Sequence, residues 1–155
     1  QMIPTTFLES AYDWDGNGID IWNSKPDAFA SIANYLTSID KNPWHIDSTW
    51  GREVIPPSNI QDIYSSLKQE NPKGCGAVKR RSVAKSLPEW SKLGFKTINN
   101  EILPQRSDLE ARLVAPDGIT GRMFLVYPNY KNLLYYNCSS YYAISIGLLS
   151  DKIIN

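Results

Sequence analysis

Residues 13–18 read Asp-Trp-Asp-Gly-Asn-Gly, and this stretch closely copies the first half of an EF-hand calcium loop. Asp13, Asp15 and Asn17 take the first, third and fifth loop positions, from which their side-chain oxygens can converge on one hard cation. The glycine at the sixth position allows the sharp turn that such a loop makes. The stretch therefore predicts a cation site near the start of the chain.

The second half of the loop departs from that pattern. Positions eight and twelve hold Asp20 and Ser24, where an EF-hand has an aliphatic residue and a bidentate glutamate. Asp27, at the start of a predicted helix, is the candidate for the missing ligand. The same residues also fit a capping box, with Ser24 as the N-cap and Asp27 at the third helical position, preceded by plain glycine turns. A bound cation and a turn followed by a cap are both open at this point.

Composition limits the remaining possibilities. A chain of 155 residues with 42% hydrophobic content can form one compact domain with a small subdomain. The formal net charge is zero, so bulk electrostatics would not recruit nucleic acid or an anionic membrane. The basic run at residues 79–81 is expected to be a solvated face. The sequence has no apolar run of membrane-spanning length and no signal peptide, and its first residue, Gln1, indicates a processed product or fragment.

The cysteines and the histidine exclude two kinds of site. Cys75 and Cys138 are too few and too far apart to predict a zinc site, and His45 is the one histidine in the chain. A single histidine also removes most catalytic triads from consideration. Whether the two cysteines pair in a disulfide is left open by the sequence.

Aromatic residues are abundant, with five tryptophans and nine tyrosines. Sugar-binding clefts use such rings because their flat apolar faces complement the C–H faces of pyranoses. Burial in the core is the more common fate of large aromatic side chains. We therefore expect the tryptophans to lie mainly in the core, and these are Trp14, Trp22, Trp44, Trp50 and Trp90.

Periodicity and turn signals predict helices at both ends of the chain and a mixed region between them. The middle region is expected to contain a hairpin, because alternating residues flank a Pro-Asp-Gly turn. The predicted helices lie near Phe7, from Ala28 to Ile39, at 59–69, after Ser86 and at the C-terminal end, and the predicted strands lie at 52–55, 109–113 and 123–127. The helix at 59–69 is predicted to be capped by Ser58 and Gln61, and the short helix after Ser86 to have Glu89 in a capping box and Gly94 at its end. The terminal helix carries Tyr142, Ile146, Leu149 and Ile153 along one face.

Eight stretches carry a recognisable pattern, and they lie at residues 1–7, 12–18, 20–28, 31–36, 51–54, 87–90, 124–130 and 136–143. In these stretches and in their order, the chain resembles lytic murein transglycosylases of the B type. The resemblance covers essentially the whole chain. It implies an α+β fold, in which a lysozyme-like helical core built from residues 1–47 and 128–155 is interrupted by a small β-containing subdomain at residues 48–127.

The resemblance also implies an activity, the cleavage of the β-1,4 bond between N-acetylmuramic acid and N-acetylglucosamine in peptidoglycan. Most glycosidases use a pair of carboxylates. This family uses one glutamate, which protonates the leaving oxygen and then acts as a base. The muramic acid's own C6 hydroxyl closes a 1,6-anhydro ring, so the reaction is non-hydrolytic.

Site residues carry over from the family position by position. The residues implied to contact sugar are Gln1, Tyr35, Tyr136, Asn137 and Tyr142. The implied ligands of a structural calcium ion are Asp13, Asp15, Asn17, the carbonyl of Ile19, and Asp27. The segment at residues 18–22 is about one residue shorter than the family pattern, which makes Asp20 a substitute candidate for Ile19. Helical periodicity alone would assign Tyr35 and Tyr142 to a core stripe.

In this family the catalytic glutamate precedes the segment that Gln1 matches. We therefore expect the 155-residue polypeptide to be inactive without the missing N-terminal half of the catalytic domain, and Glu9 to lie on an exposed helix face. The implied partner is the peptidoglycan glycan strand, and the implied location is the bacterial periplasm, where the parent protein could be an outer-membrane lipoprotein. The alternative is a non-catalytic, calcium-stabilised module that binds glycan or a protein partner. An EF-hand sensor is disfavoured, because such hands are usually paired.

Overall fold

The computed structural model describes residues 2–39, 42–69 and 74–154. These residues form seven helices and five strands, and the chain divides into two compact units, Gln1–Trp44 and His45–Asn155. The mixture of helices and strands confirms the expected α+β class. The assignment of residues 1–47 and 128–155 to one helical core stays a prediction.

The first unit consists of two helices joined by the loop that contains the acidic motif. The helices are α1 (Pro4–Ser10) and α2 (Lys25–Thr37). Ser31 is fully buried, and its hydroxyl accepts a hydrogen bond from the Tyr12 backbone N–H at 2.9 Å. The Asn34 side chain donates to the Ser10 carbonyl at 3.1 Å. Two side chains of α2 thus fix the point at which the chain leaves α1.

The second unit is built around an antiparallel sheet with strand order β2-β4-β5-β1-β3. Every residue of the central strand β5 is buried, so both faces of the sheet are covered there. The elements of this unit are β1 (Gly51–Ile55), α3 (Ile60–Ser66), α4 (Gly76–Lys79), β2 (Lys85–Ser86), α5 (Leu87–Lys92), β3 (Lys96–Thr97), β4 (Glu110–Val114), β5 (Met123–Val126), α6 (Pro128–Tyr136) and α7 (Ser140–Ile154).

Trp90 is the largest fully buried side chain described in the second unit. It is fully buried, its indole N–H donates to the Ala111 carbonyl at 3.1 Å, and its ring meets Phe95 edge-on. The capping box that positions its helix was expected from the sequence and is present, with Ser86 and Glu89 as the two partners. Local capping thereby aims the tryptophan of α5 into the sheet.

Asn129 connects α6 to the segment that leads into β1. Its side chain is fully buried, accepts from the His45 N–H, and donates to the carbonyls of His45 and Ser48, all at 2.8 Å. A disulfide between Cys75 and Cys138 ties the start of α4 to the loop between α6 and α7. The pairing that the sequence left open is therefore formed.

Helix α3 differs from its prediction at both ends. Asn59 is the N-cap and makes no side-chain capping bond, while the Gln61 amide donates to the Ser65 hydroxyl. The predicted cap formed by Ser58 and Gln61 is therefore wrong. The helix ends at Ser66 because the chain becomes extended there, and Gln69 forms a backbone bridge with Ser82 instead of continuing the helix.

Two expectations about burial need correction. Trp50 and Trp90 lie in the core as expected, whereas Trp14 and Trp22 are 68% and 78% exposed, because the two-helix unit that carries them has little interior. Within the basic run, Arg81 is buried and its Nε donates to the Val78 carbonyl, so the run is not a solvated face throughout.

Among the described residues, no helix combines the length and apolar character needed to span a membrane.

Candidate functional site

Three carboxylates of the first unit come together at the acidic loop. One oxygen each from Asp13, Asp15 and Asp27 lies within 4.8 Å of the others. Calcium ligands lie about 2.3–2.6 Å from the ion, so two ligands on opposite sides of it are about 5 Å apart. The three carboxylates therefore lie close enough together to ligate one calcium ion.

The loop itself orients Asp13. The two carboxylate oxygens accept hydrogen bonds from the backbone N–H groups of Gly16 at 2.8 Å and Gly18 at 2.9 Å. Both glycines have positive φ angles, +77° and +112°, a conformation that favours glycine. The Gly18 N–H is the largest of the influences that lower the pKa of Asp13. Asp13 is thereby held ionised, as a cation ligand must be.

Asp27 contributes both to the cap and to the loop. Its backbone N–H donates to the Ser24 hydroxyl at 3.3 Å, which is the first half of the expected capping box. Its carboxylate does not complete the box. Instead, that carboxylate is fully buried and accepts from the backbone N–H groups of Trp14 at 2.9 Å and Asp20 at 3.0 Å. The capping interpretation of this residue is therefore confirmed in part, and its role as a cation ligand stays a prediction.

Asp20 closes a separate turn beside the cluster. Its carboxylate accepts from the backbone and side-chain nitrogens of Asn23, each at 2.9 Å, and the Asn23 side chain is the main cause of its lowered pKa. Asp20 is not among the clustered carboxylates of the described residues. Asn17 and Ile19 lie exposed in the same loop. Their proposed contribution to the ligand set stays a prediction.

Three of the predicted sugar-contacting residues meet where α6 ends and α7 begins. The rings of Tyr136 and Tyr142 stack with centroids 6.1 Å apart and planes 14° apart, and Asn137 between them in sequence is exposed. Burial is the main cause of the raised pKa of Tyr142, followed by Tyr136. We call Tyr136, Asn137 and Tyr142 the α6–α7 corner. Its rings can pack on sugar C–H faces, and its amide can bond hydroxyl or acetamido groups.

Backbone bonds and a disulfide fix the shape of this corner. The Ser139 hydroxyl accepts from the Tyr142 backbone N–H at 3.3 Å and so caps the start of α7, and the Ser139 N–H donates to the Asn137 carbonyl at 2.7 Å. Cys138 lies between these residues and is bonded to Cys75. The sequence places Cys138 directly after Asn137, and this is the signal from which a disulfide beside the corner could have been inferred.

Of the other two predicted contacts, one belongs to the first unit and one falls outside the described residues. Tyr35 is half-buried on α2 in the first unit, and Gln1 lies outside the described residues. The structure thus brings three of the five predicted sugar contacts together in one place, the α6–α7 corner.

The described glutamates are engaged in other roles or exposed. Glu53 forms a paired contact with Arg122 at 2.8 and 2.6 Å, and this partner is the main reason that its pKa is lowered. Glu89 accepts from the Ser86 side chain and backbone, which lower its pKa in the same way. Glu9 is exposed on α1, as expected. A general acid needs the opposite, a carboxyl group whose pKa is raised.

Known proteins resemble this chain along nearly its whole length. The family model described as "Transglycosylase SLT domain" matches residues 1–151. The crystal structure of SltB3 from Pseudomonas aeruginosa in complex with NAG-NAM-pentapeptide is 38% identical, with a TM-score of 0.78, and the match covers 98% of this chain and 37% of that one. This chain therefore spans a little over a third of the length of SltB3.

Two further solved structures share the fold at lower identity. SltB1 from Pseudomonas aeruginosa is 23% identical with a TM-score of 0.66, over 99% of this chain and 45% of that one. Slt35 from Escherichia coli, solved in complex with calcium, is 22% identical with a TM-score of 0.62, over 97% of this chain and 41% of that one. Among curated protein sequences, none matches this chain. The structural matches confirm the lysozyme-like fold class that the sequence predicted.

Proposed function

Since this chain belongs to the transglycosylase SLT domain family, we propose that it provides part of the glycan-binding surface of a peptidoglycan lytic transglycosylase. The observation that carries the proposal is the α6–α7 corner, where stacked Tyr136 and Tyr142 adjoin the exposed amide of Asn137. The related SltB3 was solved with NAG-NAM-pentapeptide, a fragment of the proposed substrate class. We extend the proposed sugar contacts to Tyr35 and Gln1 on the family resemblance alone.

Binding of NAG-NAM-pentapeptide to the 155-residue chain, measured by titration calorimetry, tests this proposal. Tyr142→Ala removes one ring of the stacked pair and is expected to weaken binding roughly tenfold, because stacked aromatic contacts contribute about 1 kcal/mol or more. The matched control is Tyr135→Ala, which removes an exposed tyrosine of α6 outside the corner. Equal losses for the two variants would count against the corner as the sugar site.

The proposed reaction is the non-hydrolytic cleavage of the MurNAc–GlcNAc β-1,4 bond. A glutamic acid donates its proton to the leaving glycosidic oxygen as the bond to the muramic acid C1 breaks. The carboxylate then takes the proton of the C6 hydroxyl, whose oxygen bonds to C1 and closes the 1,6-anhydro ring. SltB3 was also solved with NAG-anhNAM-pentapeptide, which contains an anhydro sugar of this kind.

We propose that the general acid for that reaction is a residue other than the glutamates that the structure describes. Support comes from Glu53 and Glu89, whose partners lower their pKa values, and from the exposure of Glu9. We expect the purified 155-residue chain to release no anhydromuropeptides from cell-wall sacculi. Release of these products by the chain would contradict this assignment and also the alternative of a purely non-catalytic, calcium-stabilised binding module.

A structural calcium ion is proposed at the acidic loop, held by Asp13, Asp15, Asp27, the side chain of Asn17 and the carbonyl of Ile19. The support is geometric, because three of these side chains already lie close enough together to ligate one ion. Asp27 adds a second argument. A fully buried carboxylate is costly unless its charge is compensated, and a cation would complete the compensation that two N–H groups begin.

The proposed location is the bacterial periplasm, where the peptidoglycan lies. The disulfide between Cys75 and Cys138 supports it, because disulfides persist in oxidising compartments and are rare in the cytosol. Alkylation of free thiols in cell fractions before and after reduction tests it. We expect both cysteines to be protected until a reductant is added.

A further inference from the structure

A cavity of about 210 Å³ lies beside the start of α7 in the second unit. Its lining combines polar and charged side chains with the apolar end of β4 and the turn that follows. The polar lining consists of Tyr64, Gln69, Lys79, Arg80 and Ser140. One water occupies about 30 Å³ of liquid volume, so the cavity has room for a carboxylate and the methylene groups next to it.

The described side chains that line the cavity are neutral or positively charged. Lys79 and Arg80 are exposed, and neither forms an ion pair among the residues that the structure describes. Asp117 directly follows the lining residue Pro116 in sequence. Its carboxylate already accepts a hydrogen bond from the Tyr141 hydroxyl at 2.6 Å. The first turn of the 15-residue helix α7, which starts at Ser140, adds the positive end of its dipole.

The cavity lies close to the α6–α7 corner along the chain. Ser140 is three residues beyond Asn137, a separation of at most about 11 Å even for extended chain. The disulfide between Cys75 and Cys138 holds the two sides together, because Cys75 begins α4, whose last residue is Lys79, and Cys138 follows Asn137. The basic residues are therefore tied to the loop that presents the proposed sugar contacts.

We propose that this cavity binds a carboxylate of the peptide attached to muramic acid, with Lys79 and Arg80 as its charged partners. The inference rests on the proposed function, since it requires sugar at the α6–α7 corner. A pentapeptide spans up to about 17 Å when extended, so a peptide attached to a sugar at Asn137 is long enough to reach the cavity. The free lactyl carboxylate of a muramic acid without peptide has the same chemistry and is the competing source.

The test compares two ligands, NAG-NAM-pentapeptide and NAG-NAM without peptide, by titration calorimetry on the 155-residue chain. The variant is Lys79→Gln/Arg80→Gln. The matched control is Lys92→Gln/Lys96→Gln, which removes two exposed cations of the same unit outside this cavity. Thermal unfolding verifies that each variant is folded, which we expect because all four side chains are exposed.

We expect the cavity variant to bind NAG-NAM-pentapeptide about tenfold more weakly and to bind the peptide-free disaccharide as the parent does, because hydrogen bonds to charged groups contribute about 1.5 kcal/mol or more. The control should change neither affinity. Unchanged binding of the pentapeptide ligand would overturn the inference, and a loss confined to the peptide-free disaccharide, in which the lactyl carboxylate is free, would assign that group instead. An equal loss for both ligands would also overturn the inference, because it would trace the effect to the sugars that the two ligands share. If the parent chain bound neither ligand, the proposed function itself would fail, which is a separate result.

Discussion

Asp27 has the most constrained environment of the side chains in the first unit. Its carboxylate is fully buried and accepts hydrogen bonds from two backbone N–H groups of the loop. Its own backbone N–H donates to the Ser24 hydroxyl at the start of α2. The same carboxylate is one of three acidic groups in the proposed calcium site. The helix start and the loop are therefore coupled through this single residue, which would also link them to the proposed ion.

Asp27→Asn is expected to remove the response of the chain to calcium. The amide oxygen can accept a hydrogen bond from one of the two N–H groups, but the amide NH₂ faces the other and cannot accept from it. The lost hydrogen bond costs about 1–3 kcal/mol of stability. The parent's thermal midpoint should rise in millimolar calcium relative to chelator, because an ion that binds only the folded state stabilises it. The variant's midpoint should be the same in both conditions.

Asp20→Asn is the matched control for this experiment. Asp20 lies in the same loop and bonds mainly to Asn23, so its variant should keep the calcium response of the parent. A parent midpoint that calcium does not move would contradict the proposed site. A full response in Asp27→Asn would show that the ion binds elsewhere.

Residue-level features were predictable where they depend on local spacing. Asp13, Asp15 and Asn17 stand at alternate positions, and that pattern alone indicated a cation loop. The bonds of Asn129 could not be predicted, because its partner His45 is 84 residues away in sequence. The exposure of Trp14 was missed for a similar reason, since burial depends on what surrounds a helix and not on the residue type.

At the level of elements, α7 packs closely against the start of β1. A Cβ on Gly147 would lie 2.2 Å from the Trp50 ring, and the Trp50 indole N–H also donates to Asp151 of the same helix at 3.1 Å. Glycine in a helix interior is normally unfavourable by about 1 kcal/mol relative to alanine. Its presence here is explained by this close approach.

Gly147→Ala is therefore expected to destabilise the chain in spite of its better helix propensity. Overpacking costs about 1–3 kcal/mol, which exceeds the gain of about 1 kcal/mol in propensity. Urea unfolding measures the difference. The control is Ser145→Ala, at an exposed position of the same helix, which should be neutral or slightly stabilising. A stabilised Gly147→Ala variant would contradict the packing of α7 on Trp50.

The pair formed by Glu53 and Arg122 joins β1 to the start of β5 and should make stability depend on pH. The folded-state pKa of Glu53 lies below its ordinary value of 4.5, chiefly because Arg122 donates to it. Stabilisation by the pair is therefore present above pH 4.5 and is lost as the pH falls through the lower folded pKa.

Glu53→Gln tests this pH dependence. Both side chains are partly exposed, so the expected loss at pH 7 is below about 1 kcal/mol. Urea unfolding is measured at pH 7 and at pH values below the folded pKa of Glu53. The difference in free energy of unfolding between variant and parent should be present at pH 7 and disappear in acid. The control Glu101→Gln changes an exposed glutamate and should show no such difference. A loss of the same size at both pH values would contradict the ion-pair explanation.

Elements with short-range signals were predicted well. The α5 capping box and the hairpin of β4 and β5 each depend on residues close in sequence. Helix α3 was predicted too long because the bridge between Gln69 and Ser82 is a tertiary contact. The order of strands in the sheet likewise depends on distant pairings, such as that of β1 with β5, which local patterns do not specify.

For the whole molecule, the disulfide between Cys75 and Cys138 is the main covalent constraint. It joins residues 63 positions apart, and closing a loop of that length contributes about 4 kcal/mol in the chain-entropy account. Cys75→Ser/Cys138→Ser should lose stability of that order in urea unfolding. The parent chain treated with reductant should match the variant. A variant as stable as the oxidised parent would contradict this role.

Family and fold class were the most predictable properties of the molecule, because residues from 1–7 to 136–143 follow the family order. The basic cavity beside the α6–α7 corner was not predictable. Its two cations belong to α4 and the residue after it, and they meet Ser140 of α7 across a disulfide that the sequence left undecided.

The central claim is that this chain binds peptidoglycan glycan at the α6–α7 corner. The most direct test is an NMR titration of the ¹⁵N-labelled 155-residue chain with NAG-NAM-pentapeptide. We expect saturable shifts at the amides of Tyr136, Asn137 and Tyr142, accompanied by shifts at Lys79 and Arg80. Amides of the corner that stay unchanged while the ligand is in excess would contradict the claim.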